Sequence, residues 1–375
     1  MGDAATPESS PDALGITLED SGILPPHHWT SQISGRQDDD TDSLLQPSDQ
    51  DSTRSLNSSI FHYRTIHGRT YHSERGNAQY WGSNDEKQND AQDINHHALT
   101  LAINDRLYLA PLVRGTVEVR LLETLASTLI WLDTANDWRT QRALDVGTGT
   151  GIWAIDFADE FPEAEVIGTD ISPIQSLWVP PNVKFEIEDC TQSWTFPPNH
   201  FDYIHMRWLV GSIDDWNALF RRAFSCLRPG GWLESYEMST MWESDDGSVT
   251  EKSALGQWGR IFVEGGRKFG RTFTVVYDEL QRKAMNAAGF VEIHEENIRQ
   301  PIGRWPKDRR MKEIGEFTQL TLEQDAEGYV LFLANTLGWS REQIIIYLAT
   351  FRREVRSGQY RPFYRQKVVW GKKPE

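Results

Sequence analysis

Cysteine, basic charge and long apolar runs are all scarce in this chain. Two cysteines, Cys190 and Cys226, in 375 residues are too few for a disulfide framework or a thiolate zinc site and point to a reducing compartment. Lysine and arginine number 38 against 55 acidic residues, a formal net charge of -17, which argues against broad capture of nucleic acid or of an anionic membrane. No apolar run approaches the ~18 residues that suggest a bilayer span. The first residues have no basic stretch followed by an apolar one, so no secretory leader is expected. What remains is a soluble intracellular protein, long enough for one large domain with additions.

The scarcity is uneven. Residues 1–60 carry eleven acidic side chains, among them Asp38, Asp39 and Asp40, against Arg36 and Arg54, and Trp29 is their one aromatic. Such a composition predicts a disordered, solvated acidic arm, because it cannot bury enough apolar surface to offset its ordering entropy. From Phe61 the chain turns rich in aromatics and histidines. From about Asp93 it reads as helix, with Ile94, Ala98, Leu101 and Ala102 at helical spacing, and helix is expected to continue through GTVEVRLLETLASTLIWLD.

An alternation then sets in. Strands are expected at 142–146, 164–169, 183–187, 201–205 and 230–237, with helices at 152–160 and 214–226, the pattern of a parallel sheet with crossover helices. Helices near 250–269, 277–288, 307–337 and 341–356 follow, with the strand-like FVEIHEENI between the second and third and a last strand around 366–370. Ser340 and Gln343 have capping-box spacing and fix the start of the last helix.

The segment LDVGTGTG joins the first strand of this alternation to its helix. A glycine loop opening a helix lets backbone N–H groups face a ligand, with the positive helix terminus behind them. A dinucleotide fingerprint would need a glycine at 152, where Ile152 stands, and no Gly-Lys-Ser/Thr follows for a P-loop. The spacing found is acid-x-G-x-G-x-G, carried by Asp145, Gly147, Gly149 and Gly151. Asp170 ends the next strand in EVIGTDISP, and Asp189 with Cys190 ends the third in VKFEIEDC. Ligands of open α/β sheets bind at those strand ends.

The loop resembles motif I of class I S-adenosylmethionine (SAM) methyltransferases. The longer runs RALDVGTGTGIWAIDFADEFPEAEVIGTDISPIQSLWVPPNVKFEIEDC, HFDYIHMRWLVGSIDDW, LRPGGWLESYE, HGRTYHSERGNAQYWGSNDE and PIGRWPKDRRMKEIG are similar to the fungal LaeA-like methyltransferase family over residues 60–372. The resemblance implies a Rossmann-like class I methyltransferase fold, an α/β architecture with a seven-stranded, mostly parallel sheet. It divides 61–375 into a helical lid (61–140), a SAM-binding core (141–238) and substrate-side helices with the final strands (239–375). It implies SAM as cofactor, held by Asp145, Gly147, Thr148, Gly149, Gly151, Asp170, Ile171, Asp189, Cys190 and Met206. It further implies a role in regulating secondary metabolism and development through a complex with velvet-type proteins, in nucleus and cytoplasm. A biosynthetic O-methyltransferase acting on a small carboxylic acid or hydroxyl compound, and a SAM-binding regulatory module with little turnover, remain as alternatives. No metal is expected.

The acceptor, protein or small molecule, stays open, and so does the need for a base. His205 and Arg207 fall near the expected methyl position by strand register. The pair His96 and His97 lacks a third metal ligand at recognisable spacing, and reads as one histidine facing the cleft and one facing solvent. Arg260, Arg267, Lys268 and Arg271 form either a clamp for an anionic substrate or a solvated helix face. Tyr80 and Trp81 are candidates to stack on the adenine or close the pocket, and the segment from Tyr71 to Trp81 is the expected lid, with the helix near 250–269 covering the acceptor.

Overall fold

The computed structural model describes residues 22–25, 28–29, 63–72, 80–113 and 140–375. Strands β1 (Arg64–Ile66) and β2 (Arg69–Tyr71) form a short hairpin, and helix α1 (Glu86–Ala102) follows it. The alternating region then gives β3 (Arg142–Val146), α2 (Ile152–Glu160), β4 (Glu165–Asp170), β5 (Val183–Ile187), β6 (Phe201–Arg207), α3 (Trp216–Cys226) and β7 (Leu227–Glu243). Helices α4 (Ala254–Phe269) and α5 (Leu280–Ala288), strand β8 (Val291–Pro301), helices α6 (Arg309–Thr336) and α7 (Arg341–Arg356) and strand β9 (Phe363–Lys372) complete the chain. The helix expected in GTVEVRLLETLASTLIWLD lies outside the described residues, as do 73–79 of the expected lid.

Seven strands make one sheet in the order β5-β4-β3-β6-β7-β9-β8. The first five run parallel, and β9 pairs antiparallel to both neighbours. The expected α/β sheet is therefore present. Its central strands are apolar because helices cover both faces: in β3, Leu144 lies between Ile167 and Ile204. The chain steps from β3 outward to β4 and β5, then returns to β6 on the other side, so a crevice opens at the carboxyl ends of β3 and β6.

Helix α2 packs on that sheet through an aromatic stack. Trp153, Phe157 and Phe161 lie ring on ring at 4.8 and 4.5 Å, and Phe157 stacks on Tyr203 of β6 at 5.5 Å. The rings sit four residues apart, one helical turn, which is what brings them together on one face. The last helix begins as its sequence predicts, with Ser340 and Gln343 forming a capping box.

The acidic arm departs from expectation at two short pieces. Ile23 and Trp29 are buried in the main core, and Trp29 meets Tyr347 edge-on at 5.3 Å. The backbone N–H of Leu24 donates to Gln257 Oε1 at 2.8 Å, and Gln257 Nε2 donates to the carbonyl of Gly22. One large aromatic ring supplies the apolar surface that the arm's average composition hides, and a buried glutamine satisfies the backbone beside it. The rest of 1–60 lies outside the described residues.

The hairpin β1–β2 is pinned at a break in α6. Asp325 leaves helical geometry (φ -152, ψ 56) and is fully buried. Its carboxylate accepts from both terminal nitrogens of Arg69, at 2.8 and 2.6 Å, and from the Gly328 N–H. Arg69 also holds Asp85, the N-cap of α1, and Ser83, so one guanidinium joins the hairpin, α1 and α6. Among the described residues, no helix is long and apolar enough to cross a membrane.

Candidate active site

A cavity opens at the carboxyl ends of β3, β4 and β6, floored by Gly147, Thr148, Gly149 and Thr150. The N–H groups of Gly147 and Thr148 donate to the carbonyl of Thr169, and that of Gly149 donates to Asp170 Oδ2 at 2.9 Å. These bonds bend the loop sharply, and Gly149 (φ +59) and Gly151 (φ +85) take the left-handed backbone that side chains resist. Their neighbours differ. A Cβ on Gly149 would stand 2.8 Å from Gln92 Oε1, the end of a flexible chain, whereas on Gly151 it would stand 2.3 Å from the Phe185 ring. Gly149 thus faces the cavity, while Gly151 is required by strand-to-helix packing and does not line it.

Beneath the loop, Asp145 is buried and fully engaged. It accepts from the Thr148 hydroxyl at 2.6 Å and bonds His205 Nδ1 at 2.7 Å. The His205 ring lies flat on Trp153, with centroids 3.7 Å apart. Burial holds its imidazole below the ordinary value, against the pull of Asp145. Asp170 accepts from the N–H of Ser172 as well as Gly149, and burial pushes its carboxyl up to about 6 against those bonds. Ile171 and Cys190 complete that wall, and burial pushes the Cys190 thiol up to about 12, which keeps it protonated.

Helix α1 roofs the cavity. Gln88, Gln92, Asn95, His96 and Leu99 line it, a stripe spaced for one helix face. Three polar contacts hold the roof: the Thr150 hydroxyl donates to Asp93 Oδ1 at 2.6 Å, His96 Nε2 meets Asp156 Oδ2 at 2.9 Å, and Arg207 Nη2 meets His96 Nδ1 at 2.9 Å. An arginine can only donate, so Nδ1 is the acceptor and Nε2 carries the proton toward Asp156. Burial keeps His96 below its ordinary value, consistent with this neutral tautomer. Tyr80 and Trp81 close a further side, with Trp81 Nε1 donating to the Val210 carbonyl at 3.0 Å.

Of the ten residues expected to hold the cofactor, Asp145, Gly147, Thr148, Gly149, Asp170, Ile171 and Cys190 line this cavity. Three do not. Gly151 is occupied by Phe185, as above. Asp189 turns back to accept from the N–H and hydroxyl of Thr191 at 2.9 and 2.7 Å, and Glu188 lines the cavity instead. Met206 is fully buried in the main core, because alternation along β6 sends it to the face opposite Arg207, which does reach the cavity. His205 is likewise spent in contacts below the floor and is not a cavity residue. His96 faces the cavity and His97 is exposed, packed edge-on against Phe317 at 4.4 Å. None of the basic cluster Arg260, Arg267, Lys268 and Arg271 lines this cavity: Arg260 pairs with Glu251, Arg267 with Glu264, and Arg271 donates to the carbonyls of Ser212 and Gly270.

Sequence reasoning missed the polar face of α1, Trp208 after β6, and Tyr329 from α6. The spacing of Gln88, Gln92 and Asn95 was a usable signal for the first. Nothing local marks Tyr329, which arrives from more than a hundred residues beyond β6. Among the described residues, no cluster of three or more histidine, cysteine or acidic side chains could hold a metal.

A family model described as a methyltransferase domain matches residues 117–295. The chain is 34% identical over 325 residues to the methyltransferase pytC of Aspergillus terreus, covering 86% of this chain and 92% of that one. It is 33% identical over 262 residues to a secondary metabolism regulator of Cochliobolus heterostrophus, with 69% and 78% covered. It is 31% identical over 296 residues to the secondary metabolism regulator laeA of Gibberella zeae, with 77% and 85% covered. Among solved structures, phosphoethanolamine N-methyltransferase 2 of Haemonchus contortus with S-adenosyl-L-methionine is 21% identical, with a TM-score of 0.39 and 77% and 60% covered. The chain belongs to the fungal LaeA-like family of class I SAM-dependent methyltransferases.

Proposed function

We propose that this protein transfers the methyl group of SAM to a small acceptor within fungal secondary metabolism, with the cofactor in the cavity under α1. The residues there fit such a ligand. Both amide atoms of Asn84, Gln88 Oε1, Ser212 Oγ and the Trp208 indole nitrogen are buried without a hydrogen-bond partner in the protein, and all five belong to residues lining the cavity. Unmet donors and acceptors of both kinds suit a molecule that carries an amine, a carboxylate and hydroxyls together.

The bound cofactor supplies an electrophilic methyl group on a sulfonium. The chain's own share is to bind, orient and exclude water. Asp170 would accept from the ribose hydroxyls, Ile171 and Cys190 would flank the adenine, and the Gly147–Gly149 backbone would face the methionine portion. Arg207, whose guanidinium holds His96, would also be available to a carboxylate. A general base is not provided by either nearby imidazole, since His205 is bonded to Asp145 and covered by Trp153, and His96 Nδ1 is occupied by Arg207. The reading therefore favours an acceptor that ionises readily or loses its proton to water.

The single observation that carries the reading is one cavity lined by the glycine floor, by Asp170 and by the residues that own these unpartnered polar atoms. Titration with S-adenosylhomocysteine tests it: the wild type binds, and Asp170→Ala binds roughly 10- to 150-fold more weakly, the range for hydrogen bonds to a charged group. Equal affinities sink the assignment.

A second reading, regulation through a velvet-type protein complex in nucleus and cytoplasm, is favoured by the similarity to the Cochliobolus and Gibberella regulators. An untargeted search for methylated products separates the two, since the first yields a methylated small molecule and the second a methylated protein or none.

A further inference from the structure

Arg69 fixes more than the hairpin. Its guanidinium bonds Ser83 and Asp85, the residues on either side of Asn84. The Asn84 N–H donates to the Thr70 carbonyl of β2 at 2.9 Å. Asn84 is thereby held by its backbone and through both neighbours. Its side chain is held by nothing in the protein: Nδ2 and Oδ1 are both buried without a hydrogen-bond partner, and the residue is only 7% exposed. Turning the amide over changes nothing, since one donor and one acceptor stay unmet in either orientation.

Gln88, in the first turn of α1, adds a second unmet acceptor, Oε1. Room for it comes from α6, where a Cβ at Gly328 would collide with that oxygen. Gly328 follows the break at Asp325 and donates its N–H to the Asp325 carboxylate. The Tyr329 hydroxyl neighbours Gln88 and likewise lacks a hydrogen bond. Asn84, Gln88 and Tyr329 all line the cavity under α1. None of the three is charged, and the flanking carboxylates Asp85 and Asp325 are both paired with Arg69.

Sheet order decides which part of a ligand meets this corner. Glu188 and Cys190 line the cavity beyond β5, Asp170 and Ile171 at the end of β4, the glycine floor after β3, and Arg207 to Leu209 at and after β6. A nucleoside on Asp170 and Ile171 directs the rest of the cofactor across the floor toward β6. The polar corner lies on that side. Trp81 bonds the Val210 carbonyl after β6, and the Tyr329 ring lies 6.4 Å from that of Trp81.

We propose that Asn84 and Gln88 bind the amino-acid end of the cofactor, with its ammonium group donating to Asn84 Oδ1 and Gln88 Oε1 and its carboxylate accepting from Asn84 Nδ2. The inference rests on the cofactor reading above. A zwitterion carries donors and acceptors side by side with no net charge, which a neutral corner of one donor and two acceptors matches. Hydrogen bonds to ionised groups are about twice as strong as neutral ones, so the ligand offsets the cost of burying these atoms unmet. The Arg69 bonds then have a consequence for binding, because they set Asn84 in place before the ligand arrives. A molecule that keeps the nucleoside but lacks the amino-acid end loses these contacts alone.

The test compares S-adenosylhomocysteine with 5′-methylthioadenosine, which has the same nucleoside and a sulfur but no amino-acid end, by calorimetry on the full chain. The wild type is expected to bind both, and S-adenosylhomocysteine more tightly. Asn84→Leu nearly keeps the size of the side chain and removes both polar atoms. It should weaken S-adenosylhomocysteine about 10- to 150-fold and leave 5′-methylthioadenosine unchanged, and that unchanged affinity certifies its fold. Its melting temperature without ligand should not fall, because apolar replacement of unmet buried polar atoms is close to neutral. Should Asn84→Leu not fold, Asn84→Ala, which adds no bulk, carries the same expectations. Unchanged S-adenosylhomocysteine affinity, or an equal loss for both ligands, overturns the proposal. So does a clear drop in melting temperature in both variants, which would make the amide a structural one. Asp170→Ala should weaken both ligands alike, since both carry the ribose. Wild type that binds neither ligand sinks the cofactor reading and this proposal with it, whereas wild type that binds the two equally sinks this proposal alone.

Discussion

Arg207, at the end of β6, donates to Nδ1 of His96 on α1 across 2.9 Å, and the same ring meets Asp156 of α2 through Nε2. One neutral imidazole therefore ties the roof of the cavity to the sheet and to the helix that follows the glycine loop. A protonated ring has no lone pair at Nδ1, so protonation opposes the Arg207 bond directly.

The pH dependence follows from that bond. Burial, outweighing Asp156 and Asp93, holds His96 below its ordinary value of 6.5, and Arg207 pushes the same way. The unfolded chain therefore takes up the proton first. Stability from His96 is complete above about 6.5 and is lost as pH falls from there toward the lower folded-state value. Protection factors in α1, which are exchange rates corrected for the intrinsic pH dependence of amide exchange, should fall as pH drops from 7.5 to 5.5 in the wild type. The His96→Gln variant, whose side chain does not titrate, should show a flatter dependence. Parallel curves would mean that another group governs α1.

The strands and helices around the glycine loop were legible because their apolar spacing is regular and their partners lie close in sequence. Asp145, Asp170 and Ile171 followed from their places at strand ends. Asp189 did not, since β5 ends at Ile187 and strand alternation no longer decides whether Glu188 or Asp189 faces inward. The Arg69–Asp325 bond joins residues 256 positions apart, and no local pattern marks a buried aspartate that breaks a helix. Trp29 was hidden by averaging, because one indole among sixty mostly polar residues barely moves the composition yet fills a place in the core.

The glycines should separate binding from folding. Gly149→Ala meets only the end of Gln92, beyond a left-handed backbone that costs roughly 1–2 kcal/mol. It should fold and lose most S-adenosylhomocysteine affinity. Gly151→Ala meets the Phe185 ring as well, so urea midpoints should fall further for Gly151→Ala than for Gly149→Ala. Phe185→Leu in the Gly151→Ala background should recover part of the difference. A larger loss of stability in Gly149→Ala would reverse the roles assigned to the two positions.

The guanidinium at the centre of the hairpin should be costly to remove. Arg69→Met leaves Asp325 buried without its bidentate partner, which typically costs about 3–5 kcal/mol. The double variant Arg69→Met, Asp325→Asn should recover much of that, because the uncompensated charge is gone. Chemical denaturation of both variants checks this, and equal stabilities would show that the charge is not the cause.

Trp29 decides whether the acidic arm is ornament or structure. Its ring is fully buried against Tyr347, and truncating such a side chain usually costs about 3–5 kcal/mol. Trp29→Ala should therefore lower the melting temperature by several degrees, and deletion of residues 1–58 should lower it at least as much, since it also removes the Leu24 bond to Gln257. Deletion of residues 1–20 removes neither contact and should leave the melting temperature unchanged. S-adenosylhomocysteine affinity should hold in all three, because neither Ile23 nor Trp29 lines the cavity under α1. If Trp29→Ala melts like wild type, the indole contributes no net stability, and the arm's attachment must come from elsewhere.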